Sequence, residues 1–492
     1  MSVLAARAIA LGVMITGAAE ALIAETGATG TLLSVALVAI GPAVWRGRSR
    51  ARIVALTLLV TAPLLPSGDA LGGFVPLRLA LAGVLLLAWR AFPASGDPAT
   101  RRAALLGVAL AASALVADFA DAQRWISHPV LATVALTSAL LIARAVGPWR
   151  TVPVATAEDR RRAARVLARH GRDTLAPFAL RSDKAYHFAA AGDAFLAYRV
   201  VAGVALVSGD PIGPPERSDE LLTGFLLHAR RHGWTVAGIG ISADGLALWR
   251  RKGFAGHYTG EEAIVEPARF TLDGRSIRKV RQSVSRLSNR RYTTRILRAD
   301  AIEPEVAERL ERIAAQWRGT RRETGFSMAF ETTAVCRDRP DIYAIACDGD
   351  GVVRGFLQFG AVGGGRVLSL AAMRRERDTP NGLNEFMICA LLAWARAEGV
   401  ERVSLNFAAF AAVLDPPGPV DRVTAIERRA LQGLGGRFQL ERLLSFNRKF
   451  ATGWTPRYAA YPGVAALPRV AVAAMLAEAY VARPHLRLRR RR

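Results

Sequence analysis

The sequence has few cysteines, and their arrangement would hold neither a metal nor a set of disulfides. Three occur among 492 residues, at Cys336, Cys347 and Cys389. Their spacing matches no zinc motif and their number is odd, so we expect reduced thiols, no zinc and no disulfide. The seven histidines are scattered and form no HExxH pattern. The sequence therefore predicts no metal site.

Acidic residues are also scarce, with 41 Asp and Glu against 66 Lys and Arg, a net charge of +25. The first 150 residues contain 12 Arg, no Lys and 6 acidic residues. The remainder carries 54 basic and 35 acidic residues. A soluble region this basic is expected to meet an anionic partner, such as nucleic acid or an acidic membrane surface. The chain is too long for one domain, and its length predicts about three.

The first 150 residues are rich in apolar runs. They lie at roughly 5–24, 29–45, 53–66, 70–89, 103–121 and 129–147. Several are shorter than the ~20 residues that span a bilayer. A cleaved signal peptide would explain the first run but not a series. We therefore predict a membrane domain over residues 1–150 with about six transmembrane helices, or five as the alternative.

The charges that flank these runs predict an orientation. Arg7 and the Arg46–Arg52 loop belong to a set of arginines that falls in alternate loops. By the positive-inside rule, both ends of the region are cytoplasmic. We therefore predict a multi-pass protein of the cell membrane whose Thr151–Arg492 half is cytosolic. Within the fourth run, Arg78 is expected to pair with a lipid headgroup or Asp69, or to snorkel towards an interface.

The stretch Val367–Phe410 predicts a βαβ unit in the soluble half. An aliphatic strand is followed by a helix from about Leu383 to Glu398, with apolar residues at helical spacing, and by a strand over Val403–Phe407. Parallel strands place the helix N-terminus at the carboxyl edge of the first strand. Together with arginines such as Arg374, its free N–H groups could bind a phosphate or carboxylate. The alternative is a solvated basic loop between two core elements.

A second helix–strand unit lies upstream and predicts two similar α/β halves in tandem. It comprises a helix over Asp219–His232, a strand over Thr235–Ile241 and a short helix over Gly245–Lys252. A basic helix is also expected to begin near Glu158.

Arg275–Arg291, between the two halves, predicts an amphipathic basic helix. Its apolar residues recur at steps of three and four. Its seven basic residues are Arg275, Arg278, Lys279, Arg281, Arg286, Arg290 and Arg291. Such a helix could lie on anionic lipid or follow an RNA backbone. The alternative is a surface helix packed by its apolar stripe.

Several short motifs follow one another in the soluble half, from about residue 160 to 465. They are Asp183-Lys184, Gly192–Phe195, Gly209–Gly213, Trp317 with Glu323–Met328, Met373-Arg374 with Asn381-Gly382 and Glu385-Phe386, Ser404–Ala408, Glu427-Arg428 and Phe446–Tyr461. In this order they resemble the catalytic domain of the aminoacyl-phosphatidylglycerol synthases, the multiple peptide resistance factor family. The resemblance is to its actinobacterial-type branch.

The resemblance implies an α-helical transmembrane region followed by an α/β cytosolic region of two tandem acetyltransferase-like (GNAT) domains. We place the first GNAT-like domain at 151–274 and the basic linking helix at 275–292. The second GNAT-like domain then covers 293–465, and a C-terminal helix with a basic tail covers 466–492.

The implied activity is transfer of an amino acid, with lysine expected, from aminoacyl-tRNA to the glycerol hydroxyl of phosphatidylglycerol or a related lipid. This would lower the negative surface charge and give resistance to cationic peptides. The implied partners are aminoacyl-tRNA, anionic phospholipid and the membrane, and no cofactor is needed besides the tRNA co-substrate. The oligomeric state is left open, a homo-oligomer included.

The resemblance also assigns site residues. Arg374 and Glu427 are the catalytic candidates. The substrate-binding candidates are Asp183, Lys184, Asp210, Asn381, Gly382, Asn406 and Lys449. Ala371 stands where the family usually has Asp, and Asn406–Phe410 also departs from the family pattern.

Two other functions stay open at this stage. One is an acyl-CoA-dependent N-acyltransferase, which would need a glycine-rich pyrophosphate loop, whereas the loop Arg374–Gly382 has one Gly. The other is a non-enzymatic membrane protein that binds lipid or RNA.

Overall fold

The computed structural model describes residues 2–23, 28–61, 74–94, 137, 153–275, 277–319, 325–330, 335–409 and 444–479. The chain forms two units. The helical unit is Met1–Val152 with Leu226–Thr235, and the sheet unit is Pro153–Phe225 with Val236–Arg492. The last two predicted membrane runs and the arginine tail after residue 479 lie outside the described residues, apart from residue 137.

Four helices of the helical unit coincide with the first four predicted apolar runs. They are α1 (Ser2–Ile23), α2 (Ala28–Trp45), α3 (Ser49–Thr61) and α4 (Val75–Leu87). Their small and branched side chains pack together around Ala10, Val13 and Leu37. Within the described ranges, one segment, Leu4–Leu22, is both long and apolar enough to cross a bilayer. The predicted total of six transmembrane helices therefore stays a prediction.

A buried ion pair joins these helices. Arg78 of α4 and Glu20 of α1 bind each other through both guanidinium and carboxylate arms, and their side chains are 1% and 0% exposed. Ser34 of α2 donates to Glu20 at 3.0 Å, and Arg78 donates to the Leu58 carbonyl of α3 at 3.2 Å. Each helix thus contributes a polar group to one cluster. The observed partner of Arg78 is Glu20. The expectation that Arg78 pairs with a lipid headgroup or with Asp69 is therefore corrected, and the burial of Arg78 rules out snorkelling.

Eleven strands form one sheet in the described part of the sheet unit. They are β1 (Ala185–Phe188), β2 (Phe195–Val201), β3 (Val204–Ser208), β4 (Thr235–Ile241), β5 (Ala255–Val265), β6 (Thr293–Arg298), β7 (Ile342–Cys347), β8 (Val353–Val362), β9 (Val367–Arg375), β10 (Arg402–Ala409) and β11 (Gly453–Tyr461). Their order is β1-β2-β3-β4-β11-β5-β10-β9-β8-β7-β6. The mixed α/β class predicted from the sequence is confirmed.

At the centre of the sheet, a strand from the second half lies among strands of the first half. β11, the last of the described strands, inserts between β4 and β5 and pairs antiparallel with both. On its other edge, β5 pairs antiparallel with β10 of the second half. The middle of the sheet is therefore built from strands that are about 200 residues apart in sequence.

In the described part of the sheet unit, seven further helices flank this sheet. They are α5 (Ala157–His170), α6 (Ser218–Arg231), α7 (Ala243–Arg251), α8 (Arg278–Asn289), α9 (Pro304–Arg318), α10 (Leu383–Ala397) and α11 (Leu467–Ala477). The predicted βαβ unit is confirmed as β9, α10 and β10, because β9 and β10 pair in parallel. A capping box at Thr156 and Asp159 begins α5. The helix predicted near Glu158 is therefore confirmed.

The basic helix predicted between the halves is confirmed as α8. Its apolar residues Val280 and Leu287 are buried in the same core as Leu383 and Phe386 of α10. Each such side chain contributes roughly 1.5–3 kcal/mol through burial. The seven basic residues of Arg275–Arg291 are all exposed. The helix is thus both packed by its apolar stripe and free to present positive charge.

The Glu20–Arg78 pair can be tested by a double-mutant cycle. Arg78→Gln leaves a buried carboxylate without its guanidinium, which should cost about 3–5 kcal/mol. Glu20→Gln combined with Arg78→Gln should cost clearly less than the sum of the two single changes, since neither charge is then left unpaired. Thermal unfolding of the full chain in detergent measures this. Strictly additive losses would contradict the pairing.

Candidate active site

The parallel pair β9–β10 opens partway along its length. Three residue pairs are in register, the last of them Ser369 with Ser404. Beyond this point β9 continues to pair with β8, whereas β10 pairs with β5. The two strands therefore diverge towards their carboxyl ends. A cleft at this edge is where α/β folds of this topology bind ligands.

A bulge on each strand accompanies the divergence. On β9 the register with β8 shifts at Ala371, which lies between the paired residues Leu370 and Ala372. On β10 the register with β5 shifts between Ser404 and Phe407. Bulges break the ladder and re-aim side chains, and they are common beside active sites.

Asn406 lies within the β10 bulge in the left-handed region, with φ of 78°. Asn tolerates this conformation better than most residues. Its side-chain amide donates to the Leu370 carbonyl of β9 at 3.1 Å and to the Met328 carbonyl at 3.0 Å. Asn406, predicted to bind substrate, thus bridges the diverging strands.

Arg374 lies near the carboxyl end of β9 and is half-buried. Its guanidinium stacks on the Trp317 ring of α9, with 4.1 Å from Cζ to the ring centroid. One arm donates to the Met373 carbonyl at 3.0 Å. Such stacking holds the planar group in place. The anion-binding role of Arg374 stays a prediction.

The loop from β9 to α10 is held by hydrogen bonds to arginines. Arg375 donates to the Thr379 hydroxyl at 2.8 Å, and Arg286 of α8 donates to the Asn381 carbonyl at 2.6 Å. Gly382 begins α10 with φ of 93°, and a side chain there would collide with Ser283 of α8. The predicted residues Asn381 and Gly382 therefore shape the start of α10, where free N–H groups favour an anion.

Lys449 contacts the first turn of the same helix. Its ammonium lies 2.9 Å from Glu385 and 5.1 Å from the Phe446 ring centroid. Both charged side chains are partly exposed, so the pair can be reached by solutes. The structure thus brings Arg374, Asn381, Gly382, Asn406 and Lys449 to one region, at the carboxyl edge of β9 and the start of α10.

The side chains of Glu478 and Arg181 clamp the segment Gly325–Phe330 by hydrogen bonds. Glu478, just after α11, accepts from the Phe326 N–H at 2.6 Å and from the Ser327 hydroxyl at 2.7 Å. Arg181 donates to the Ala329 carbonyl at 2.6 Å and also to the Gly325 carbonyl. With the bond from Asn406, these contacts fix the segment against β10. The sequence analysis assigned no role to Glu478 or Arg181.

Ala371 faces an apolar cluster beside this segment. The cluster consists of Leu175, Phe178 and Phe330, with Met328 packed against it. A carboxylate at position 371 would lose hydration without gaining a hydrogen-bond partner among these side chains. The departure from the family pattern noted at this position therefore matches its surroundings.

Asp183 and Lys184 lie in the first half, beneath the clamped segment. Lys184 is fully buried, and its ammonium donates to the Phe178 carbonyl at 2.8 Å and to Ser208 at 2.7 Å. Burial would raise the pKa of Asp183, but hydrogen bonds and charge from Arg181, with charge from Arg199, lower it. These internal partners indicate positioning roles, and direct substrate binding by either residue stays a prediction.

Asp210 adjoins a buried network at the centre of the sheet. Arg457 of β11 donates to Glu262 of β5 at 2.9 Å and to Asp173 at 2.8 Å. Asp210 accepts from the Ser242 N–H at 3.2 Å, at the start of α7. Burial and repulsion from Asp173 raise the pKa of Asp210 to about 6. Its role in substrate binding is untested.

The same network reaches the cleft through Ser404. The Ser404 hydroxyl donates to Glu262 and accepts from the Asn406 N–H at 3.1 Å. The sequence analysis missed Glu262 and Arg457. The available signal was a charged residue directly before an apolar run, Glu262 before Ala263–Val265 and Arg457 before Tyr458–Tyr461.

Glu427, the second catalytic candidate, lies outside the described residues. In the described ranges, no three His, Cys, Asp or Glu side chains gather where they could hold a metal ion. The cysteines are free thiols.

Comparison with known proteins first places the fold. The sheet unit is similar to the solved structure of L-PGS from Bacillus licheniformis, with a TM-score of 0.58 and 21% sequence identity. The match covers 65% of this chain and 96% of that one. At this identity the likeness shows a shared α/β fold.

The family follows from sequence. Residues 164–461 match the family described as phosphatidylglycerol lysyltransferase, C-terminal, and the chain belongs to this family. It is 36% identical to bifunctional lysylphosphatidylglycerol biosynthesis proteins LysX of Mycobacterium marinum over 339 residues and of Mycobacterium tuberculosis over 345 residues. Each match covers 68% of this chain but 30% and 29% of those proteins, so the chain spans under a third of their length.

The raised pKa of Asp210 predicts a pH-dependent stability. Its value in the folded chain, about 6, lies above the ordinary 3.8. The folded state therefore binds more protons between these values, and stability falls as the pH rises from about 4 through 6. Asp210→Asn keeps an acceptor for Ser242 but cannot ionise. We expect this variant to be more stable than the wild type at pH 7.5 by about 1–3 kcal/mol.

The same advantage should shrink as the pH falls towards 4, because wild-type Asp210 is then protonated. Thermal unfolding of the full chain in detergent at pH 7.5, 6 and 4.5 measures the difference. A difference that stays constant with pH would show that Asp210 is not the titrating group.

Proposed function

We propose that this protein is an aminoacyltransferase that moves an amino acid, with lysine as the expected one, from aminoacyl-tRNA to the glycerol hydroxyl of phosphatidylglycerol or a related lipid. The product would carry less negative charge, which would reduce the attraction of cationic peptides. Family membership supports this reading. We infer further that residues 1–150 form a multi-pass membrane domain and that the remainder faces the cytosol as two tandem GNAT-like domains.

The observation that carries the proposal is the diverging β9–β10 pair with Arg374 stacked at its edge. Beyond Ser369 and Ser404 the two strands no longer pair with each other, and α10 directs its free N–H groups to the same edge. An elongated donor that ends in an ester could enter there. Arg374 would then hold a phosphate of the lipid headgroup or of the tRNA end.

The proposed chemistry is an ester exchange. The lipid hydroxyl oxygen attacks the aminoacyl carbonyl and loses its proton, and the terminal ribose oxygen of the tRNA leaves and gains one. Because aminoacyl-tRNA is already an activated ester, the reaction needs no further activating cofactor. The enzyme mainly brings two polyanions together and orients the hydroxyl. N–H donors near the cleft would stabilise the oxyanion that forms at the carbonyl.

Positive charge next to the cleft supports the choice of substrates. α8 and the residues that flank it expose seven basic side chains between Arg275 and Arg291. Arg286 and Ser283 place this helix against the start of α10. A polyanion attracted by α8 would therefore arrive beside Arg374. We assign α8 to electrostatic capture of tRNA or lipid, and Glu427 to the α-ammonium or side-chain amine of the amino acid.

Variants at Arg374 test the site. Arg374→Ala removes a charge-assisted contact worth about 1.5–3 kcal/mol, so kcat/KM should fall about ten- to 150-fold. Arg374→Lys should rescue only in part, because an ammonium lacks the planar fork that stacks on Trp317. Transfer from labelled aminoacyl-tRNA to lipid by the full chain in anionic liposomes measures both.

Arg366→Ala is the matched control, since this exposed arginine precedes β9 at its other end. It should keep wild-type kcat/KM. Wild-type rates for Arg374→Ala would move the active site elsewhere and leave the family assignment intact.

Neutralising α8 tests the capture role. We expect the quadruple change of Arg275, Arg278, Lys279 and Arg290 to Gln to raise KM for tRNA or lipid and to flatten its salt dependence, with kcat little changed. The exposed arginines Arg250, Arg251, Arg269 and Arg298, changed together to Gln, provide a control with the same loss of charge. A large loss of kcat at saturating substrate would refute the capture role.

A further inference from the structure

A second basic surface lies on α5, away from α8. Arg161, Arg165 and Arg169 follow one another at four-residue steps and are exposed. Residues at this spacing lie on one face of a helix, about 5–6 Å apart. Arg172 and Arg402 continue the row, because the Arg402 guanidinium donates to the Arg172 carbonyl at 3.0 Å. We call these five residues the α5 row.

The α5 row is neither neutralised nor suited to insertion into lipid. Within the described parts of the chain, no carboxylate forms an ion pair with its five guanidinium groups. The apolar side chains of α5, Ala163, Val166 and Leu167, are buried in the core. The helix therefore has no exposed apolar face to bury among acyl chains, as interfacial helices do.

The α5 row and α8 lie at opposite ends of β9. α5 packs on Val367, the first residue of β9, and Arg402 pairs with Val367 in the sheet. α8 instead contacts the loop that follows Arg375, the last residue of β9. A strand of nine residues spans about 26 Å. Two separate basic surfaces thus flank the cleft, α8 near Arg374 and the α5 row far from it.

We propose that the α5 row binds the phosphate backbone of an RNA, the body of the tRNA whose aminoacylated end reaches the cleft. This inference rests on the proposed function. A lipid headgroup is small, so in the proposed reaction it needs contacts only near Arg374, where its hydroxyl would react. A tRNA is long enough to place its reacting end there and its backbone at a surface ~26 Å away. Guanidinium groups suit phosphates because they can pair with two oxygens at once.

The test is binding of deacylated tRNA to the full chain in nanodiscs of zwitterionic lipid. Arg161, Arg165 and Arg169 are changed to Gln, a good helix former. We expect affinity at 0.1 M salt to fall at least about tenfold, and the log–log salt slope to become shallower by about 2 to 3. A triple Gln change of Arg250, Arg251 and Arg269 removes equal charge from the same half and should leave affinity near wild type. Single changes at Arg161 and Arg169 replace the triple variant if it unfolds.

Wild-type affinity in the triple variant, or an equal loss in the control, would overturn the inference. So would wild-type protein that binds no tRNA. Slowed amide exchange of α5 on changing the lipid from zwitterionic to anionic, with no RNA present, would assign the row to the membrane instead. The proposed function is judged separately: protein that binds tRNA through α5 but transfers nothing to lipid would refute that function and leave this inference standing.

Discussion

The buried guanidinium of Arg457 is the group on which the sheet unit depends. It lies on β11, the last of the described strands, and binds Glu262 on β5 and Asp173 in the loop after α5. Burial acts to lower its pKa, but the two carboxylates outweigh burial and raise it. A charge buried this deeply is tolerated only with all its partners in place. The insertion of β11 and the docking of α5 are therefore coupled.

The geometry of the cleft depends on this coupling. Glu262 accepts from Ser404, and Ser404 in turn accepts from Asn406 at the β10 bulge. The divergence of β9 and β10 is thus fixed by a chain of hydrogen bonds that begins at Arg457. A second support comes from Glu478, which holds the segment that receives the Asn406 amide. Buried residues that no substrate is proposed to contact therefore hold the diverging strands in place.

Buried and exposed charges are arranged differently in this protein. Buried guanidinium groups are paired with carboxylates, Arg78 with Glu20 and Arg457 with Glu262 and Asp173, because an unpaired ion inside the fold is costly. Surface arginines on α5 and α8 outnumber their carboxylate partners. Because exposed charges stay solvated, this excess costs little free energy, and it keeps the long-range attraction for anions. The first kind specifies the fold, and the second suits a protein that handles polyanions.

The sequence by itself determined the local elements and the family. The helix of the βαβ unit begins at Leu383 as predicted, and α8 was recognised from its apolar stripe. Both could be predicted because hydrophobic periodicity depends only on residues close together in the sequence. Only the tertiary structure decided that β11 enters the middle of the sheet, that Arg78 meets Glu20, and that Ala371 faces an apolar cluster. These contacts join residues far apart in the chain, and their partners are selected by burial and hydrogen-bond geometry, which no local pattern records.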